Sequence, residues 1–268
     1  LQAGVYYYVE LLHKEGSGSD HFALRWQTPS NSTRTVIPGS ALARWQDCSP
    51  SVKVRTYLQG PWDGSVNLMR DDLRTAGLIP TTEPFTGLGF THAGGGGGET
   101  VSAARLAVTG SNAVVDWVLV ELRNKNNPAT IVATRSALLE RDGDVVGTDG
   151  YQRLLFNVAA DNYYVAVRHR NHFGAMTLKY VGLDANQVTL DFTTNLSTYG
   201  TEACAILPNG RRALWSGNVV RDGLLRYTGQ SNDRDPILTQ IGGTVPTNTS
   251  TGYVMSDVNL DGVVRYVG

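Results

Sequence analysis

Between residues 101 and 192 the chain is cut into short segments rich in Val, Leu and Thr, separated by turn-forming residues at regular spacing. The segments are 101–109, 113–122, 130–139, 154–158, 163–170 and 187–192, with a similar run at 52–58 ahead of them. Asn126-Asn-Pro128, Asp142-Gly-Asp144 and Asp149-Gly150 lie between them, and such residues accept the backbone angles that tight turns need. This pattern predicts an antiparallel β-sandwich over 51–200, of the Ig-like kind. In 113–122, Val115, Trp117, Leu119 and Glu121 share one parity, and Val114, Asp116, Val118, Val120 and Leu122 share the other. Both sets are largely apolar, which predicts a central strand covered on both faces. With 30 glycines and only 18% charged residues, the composition also favours short strands and turns over helices. One short helix is expected at 69–76, with Asp71 and Asp72 in its first turn and Gly77 past its end.

The C-terminal stretch carries a second signal. Asp257, Asn259 and Asp261 stand at positions 1, 3 and 5 of a loop with Gly262 at position 6, which is how an EF-hand-type Ca²⁺ loop begins. Ca²⁺ takes six to eight oxygens, Val263 at position 7 would offer its backbone carbonyl, and the glycine permits the sharp turn. Position 12 is Gly268, which has no carboxylate. The same pattern occurs 39 residues earlier, where Asp222, Gly223, Arg226 and Tyr227 match Asp261, Gly262, Arg265 and Tyr266. The earlier loop is poorer: Asn218 and Asp222 fill positions 1 and 5, but Val220 fills position 3. Asn232 or Asp233, looping back, would replace its missing position-12 ligand. A helix is expected next, with Asp235 as N-cap, Pro236 at N1 and Gly242 past its end. The second copy stops before its helix. A structural turn held by Asx hydrogen bonds is the alternative to cation binding.

Three resemblances organise these observations. Residues Tyr8-Val-Glu-Leu-Leu-His-Lys-Glu-Gly16, Asp20-His21, Leu24-Arg-Trp-Gln27 and Val36-Ile-Pro-Gly-Ser40 resemble the end of a PA14 domain, an extracellular β-sandwich. The resemblance implies that 1–47 is the C-terminal part of such a sandwich, and no sugar site carries over to any residue. Asp-Val-Asn-Leu-Asp-Gly resembles the opening of dockerin-type repeats, which implies a dockerin-like unit at 214–268 with its second copy truncated. The motifs Leu58-Gln-Gly-Pro61, Asp71-Asp-Leu-Arg74, Gly77-Leu-Ile-Pro80, Asp116-Trp-Val-Leu-Val-Glu-Leu-Arg123, Arg141-Asp-Gly-Asp-Val-Val146 and Val165-Ala-Val-Arg-His-Arg-Asn-His172 resemble the C-terminal region of large secreted bacterial surface proteins. That resemblance covers nearly the whole chain and implies no catalytic activity. The abrupt start on a strand at Leu1 reads as a mature or excised piece.

The remaining features mostly exclude functions. With 23 basic and 24 acidic residues and no basic run, nucleic acid has no electrostatic handle. No apolar run approaches the roughly 20 residues that a membrane helix needs. Cys48 and Cys204 are compatible with either a long-range disulfide or two buried thiols. Gly87-Leu-Gly89 and the run Gly94–Gly98 lack the Lys-Ser/Thr of a phosphate loop and read as a mobile loop. His169 and His172, three apart on a strand, face opposite sides unless the strand ends between them, so they read as polar turn residues rather than metal ligands. Asp142 and Asp144 share a side of an extended turn and read as hairpin residues. Of Trp45, Trp62, Trp117 and Trp215, only Trp62, in a Pro-Trp-Asp-Gly turn, is expected to be exposed for stacking on a glycan. The expectation is a secreted, cell-surface, all-β, non-catalytic module. It would be structural or adhesive, pair with other domains or copies of the same protein in a stalk or filament, and hold Ca²⁺ structurally. A carbohydrate-binding accessory module of a secreted glycosidase is the alternative.

Overall fold

The computed structural model describes residues 23–28, 31–38 and 49–267. The chain divides into two compact units, Leu1–Asp47 and Cys48–Gly268. In the first unit, β1 (Arg25–Thr28) and β2 (Asn31–Val36) form an antiparallel hairpin with Arg25 opposite Val36. β2 ends at Val36, two residues before Pro38, which has no N–H for a ladder. Residues 1–22, which carry the first part of the PA14 resemblance, residues 39–47 and Cys48 lie outside the described residues.

The regular structure of the second unit is mostly strand, as the turn spacing predicts. It begins with β3 (Ser51–Arg55), the small hairpin β4 (Trp62–Asp63) and β5 (Leu68–Met69), α1 (Asp72–Thr75) and α2 (Ala103–Leu106). The long strands β6 (Val114–Asn124) and β7 (Asn127–Glu140) follow, then β8 (Asp144–Val146), β9 (Leu154–Leu155), β10 (Asp161–Arg168), β11 (Ala175–Met176), β12 (Val181–Leu183) and β13 (Val188–Asp191). The C-terminal part holds β14 (Ala205–Ile206), β15 (Arg212–Ala213), α3 (Arg234–Gln240), β16 (Thr249–Thr251) and β17 (Val263–Arg265). Nine strands make one sheet in the order β11-β10-β6-β7-β8-β3-β13, with β12 also on β10 and β9 on β3. Its ladders are antiparallel except β13 on β3. The repeat region belongs to the same compact unit as this sheet.

β6 is central, between β10 and β7, and every residue from Val114 to Leu122 is buried. Trp117 is wholly buried and donates its indole N–H to Pro80 O at 2.9 Å. The β6–β7 register slips between Val114 and Asp116, a bulge of the kind that re-aims the next side chain. Asp116, the one acid among the apolar residues at this end of β6, follows the bulge.

Three local expectations change. Residues 101–109 hold α2 rather than a strand, because Ser102 caps it by accepting Arg105 N–H at 3.2 Å and Ala-Ala-Arg-Leu then favours helix. The helix expected at 69–76 shortens to α1, because Leu68 and Met69 are taken up by the β4–β5 hairpin; Gly77 ends it in the left-handed region. The glycine run is pinned rather than loose. Ala93 O accepts Thr134 N–H of β7 at 2.9 Å, Glu83 accepts Gly98 N–H at 3.0 Å and Glu99 accepts Gly97 N–H at 3.0 Å. A Cβ on Gly96 would stand 2.7 Å from the Thr134 carbonyl carbon, so glycine there permits backbone-to-backbone packing.

Candidate functional site

β10 ends at Arg168, so His169, Arg170, Asn171 and His172 escape the two-residue alternation of a strand. The two imidazoles, which would face apart on a continuing strand, meet edge to face with ring centres 4.8 Å apart and an 81° interplanar angle. Both are 1% exposed. His172 Nε2 lies 3.1 Å from Gly60 N–H and must accept it, so its own proton is on Nδ1. That Nδ1–H faces His169 Nδ1 at 3.1 Å and Asn171 Oδ1 at 3.0 Å. His169 Nδ1 also faces Asn171 N–H at 3.3 Å, which puts the His169 proton on Nε2, directed at Asp116 Oδ2 3.1 Å away. One pair of neutral tautomers therefore satisfies every nitrogen. It also leaves His172 without a free lone pair for a metal, since one nitrogen accepts an amide and the other carries the proton.

Asp116 is the anchor. It is 0% exposed, and it accepts Arg170 Nε at 2.9 Å, Tyr253 Oη at 2.6 Å and Trp117 N–H at 2.8 Å besides His169. Burial works to raise its carboxyl, but Arg170, His169 and Tyr253 hold it well below the usual carboxylate range. Burial pushes the Tyr253 hydroxyl well up, and Asp116 beside it adds to the effect. Burial drives His172 well below the ordinary imidazole value, helped by His169 and Arg170. His169 is also lowered, by burial first, against the pull of Asp116.

This cluster fastens three distant segments. Arg170 donates to Val254 O and lies 4.2 Å over the Tyr253 ring. Asn171 Nδ2 donates to Met255 O at 2.8 Å and Asp257 O at 2.6 Å, while Asn171 O accepts Gly217 N–H at 3.2 Å and Asn218 N–H at 3.0 Å. Gly60 lies so close to the C-terminal loop that a Cβ there would overlap Val258 O and stand 3.0 Å from Asn259 Cα. Ser216 Oγ donates to Val258 O at 2.5 Å and Arg70 to Asn259 O at 3.0 Å. Thus both repeat loops begin on the His169–His172 segment. The residues come from Leu58-Gln-Gly-Pro61, from the motif that starts at Asp116 within β6 and from the run ending at His172. Sequence reading isolated these motifs but not their convergence.

The two loops share a backbone. Arg221 and Leu260, 39 residues apart, both take the left-handed region at φ 56° and 59°, and Gly223 and Gly262 follow at 83° and 80°. Asp222 Oδ1 accepts Leu224 N–H at 3.0 Å as Asp261 Oδ1 accepts Val263 N–H at 2.8 Å. Arg226 reaches Asp222 at 3.0 Å as Arg265 reaches Asp261 at 2.6 Å. Between the copies, the Arg234 guanidinium lies 4.5 Å from the Tyr227 ring centre and 4.7 Å from that of Tyr266, another matched pair.

In the second loop, Asp257 is 0% exposed and accepts Gly262 N–H at 2.9 Å and Asp261 N–H at 3.2 Å. Burial raises its carboxyl, against the amide of Gly262 and the charge of Arg170. Asn259 Nδ2 donates to Asp261 Oδ2 at 3.1 Å, and Val263 opens β17, which pairs with β16. In the first loop, Asp233 does turn back. Its Oδ1 accepts Val219 N–H at 2.8 Å and Val220 N–H at 3.0 Å, and its Oδ2 accepts Arg226 N–H at 2.8 Å. Asn232, not Asp235, bonds the first amides of α3, accepting Arg234 N–H at 3.1 Å and Asp235 N–H at 2.9 Å. Gly242, at φ 106°, ends the helix as expected. Asn218 is 7% exposed, and its Oδ1 has no hydrogen-bond partner among the described residues.

Two other features were singled out by sequence. Trp62 is half-buried against the core with its ring 4.8 Å from that of Tyr57, because the β4–β5 hairpin folds it inward. It is therefore not the open platform expected. Asp142 and Asp144 join Glu140 in a cluster whose carboxylate oxygens lie within 4.8 Å of one another, close enough to hold a metal ion. Arg55 stands 2.7 Å from Asp144 and Arg105 pairs with Glu140, so guanidinium groups already balance it. No protein-family model, curated protein or solved structure matches the chain.

Proposed function

We propose that the chain is a non-catalytic structural or adhesive module of an extracellular bacterial surface protein. In this reading the nine-stranded sheet is the body of a sandwich-type module, the two loops are its dockerin-like part, and it stands among other domains or copies of the same chain. The observation that carries the reading is the chemistry of the buried cluster. Asp116, His169, Arg170 and His172 are each at most 1% exposed, and their polar atoms bind one another and the backbone of the two loops. A catalytic constellation needs an open face for substrate; a cluster closed in this way joins elements instead. The pairing of β1 and β2 only with each other, among the described residues, suits assembly with a neighbouring chain, because unpaired strand edges recruit partners.

Ca²⁺ is the structural cation of this reading, held by Asp257, Asn259, Asp261 and the Val263 carbonyl in one loop and by Asn218, Asp222 and Asp233 in the other. The unpartnered Asn218 oxygen and the buried Asp257 carboxylate support it. Affinities of about 10⁻⁴–10⁻³ M suit extracellular modules. About 10 mM Ca²⁺ would then add about 1.4–2.7 kcal/mol and raise the unfolding temperature by several degrees over EDTA. Differential scanning fluorimetry checks this, and Asp261→Ala should remove part of the gain. An identical unfolding temperature in Ca²⁺ and EDTA eliminates the cation. The competing carbohydrate-binding reading rests on Trp62. Retention on insoluble polysaccharide that disappears in Trp62→Ala would favour it over the structural one.

A further inference from the structure

We propose that the His169–His172 pair is an acid-operated clasp: proton uptake by these rings releases segments 216–218 and 253–257 from the sheet. The geometry leaves a proton nowhere to go. The two basic nitrogens are His172 Nε2, which faces Gly60 N–H at 3.1 Å, and His169 Nδ1, which faces Asn171 N–H at 3.3 Å and His172 Nδ1–H at 3.1 Å. Protonating either one sets donor against donor inside a site that is 1% exposed. Relief requires Gly60 or Asn171 to move. Gly60 sits against Val258, and Asn171 holds Met255, Asp257, Gly217 and Asn218, so either movement frees a repeat loop.

The charged groups acting on the pair are Asp116 from β6 and Arg170 from its own segment; from the C-terminal segment, Tyr253 bonds Asp116 and Asp257 feels the charge of Arg170, neither one bonding an imidazole. Asp116 attracts a proton to His169, but Arg170 already neutralises it at 2.9 Å, and the Gly60 and Ser216 segments bring no charge. Both imidazoles are held below their ordinary value of 6.5, so the stability they confer is complete above pH 6.5 and lost as the pH falls. Asp116 is held below its ordinary 3.8, so its contribution is lost only at lower pH, outside this window. Asp257 is raised and acts in the opposite sense, gaining stability on acidification.

Hydrogen–deuterium exchange of the full chain at pH 7.5 and 5.0, corrected for intrinsic rates, tests the clasp. At pH 5.0 the opening of amides in 217–220 and 254–264 should rise on the order of thirtyfold for one imidazole titrating from about 6.5. Amides in the centre of β6 and β7 should keep their protection. Equal loop protection at both pH values, or simultaneous loss in the loops and in β6 and β7, would overturn the proposal. His172→Gln can still accept Gly60 N–H through its amide oxygen but cannot titrate. It should lose most of the pH dependence, and retention of the full effect in a folded variant contradicts the clasp. Should that variant fail to fold, the wild-type comparison decides alone.

Discussion

Asp116→Asn should destabilise the protein by about 3–5 kcal/mol, the cost of leaving a buried charge without its partner. The Arg170 side chain is 1% exposed, and Asp116 is its only carboxylate partner among the described residues at hydrogen-bond distance. Asparagine keeps the shape and accepts one bond, but it cannot balance the guanidinium, whose Nη2 already has no hydrogen-bond partner among the described residues. At roughly 2–4 °C per kcal/mol, the unfolding temperature should fall by about 10 °C. The double variant Asp116→Asn with Arg170→Met should recover part of this loss, because a buried pair exchanged for apolar groups is often close to neutral. Additive losses, read from urea unfolding midpoints at unchanged slope, would mean that Arg170 does not depend on Asp116.

The second large effect is steric. Gly60→Ala would drive a Cβ into Val258 O and to 3.1 Å from His172 Nε2. Overpacking usually costs about 1–3 kcal/mol, and the upper end applies because the obstructing atom is backbone rather than a flexible side chain. The strain should fall on the loop, since β3 and β6 are held by continuous ladders while the loop hangs on side-chain bonds. Limited proteolysis should therefore cut Gly60→Ala within 253–267 under conditions that leave the wild type intact. A variant that is as resistant as the wild type would show that Gly60 and Val258 do not meet as described.

Much of this fold was legible in the chain, and particular residues show why the rest was not. The apolar character of both parities of 113–122 predicts a central strand, and β6 is central. The 39-residue offset predicts two alike loops, and the paired angles of Arg221 with Leu260 bear it out. Both signals are local or periodic. The clasp depends on contacts between residues 60, 116, 169–172 and 253, which no spacing encodes. Asp116 was visible as an acid within an apolar strand, and a buried acid calls for a partner. Parity would set His169 and His172 apart only on a continuing strand; β10 stops at Arg168, so the pair lies beyond it as the polar turn residues expected, and their meeting is a tertiary fact. The turn expected at Pro-Trp-Asp-Gly falls after Asp63 instead, because Trp62 and Asp63 form β4, and the inward fold of that hairpin depends on packing against Tyr57.

The central claim is that the repeat loops are an integral part of the sheet's folding unit at neutral pH, joined to it through Asp116 and the His169–His172 segment. Native-state hydrogen exchange of the full chain in increasing urea at pH 7.5 tests this directly. Amides in the centre of β6 and those of Gly262 and Val264 should lose protection together, with one midpoint and one slope. If the Gly262 and Val264 amides open at clearly lower urea than β6, the loops are an appendage and the clasp does not hold them.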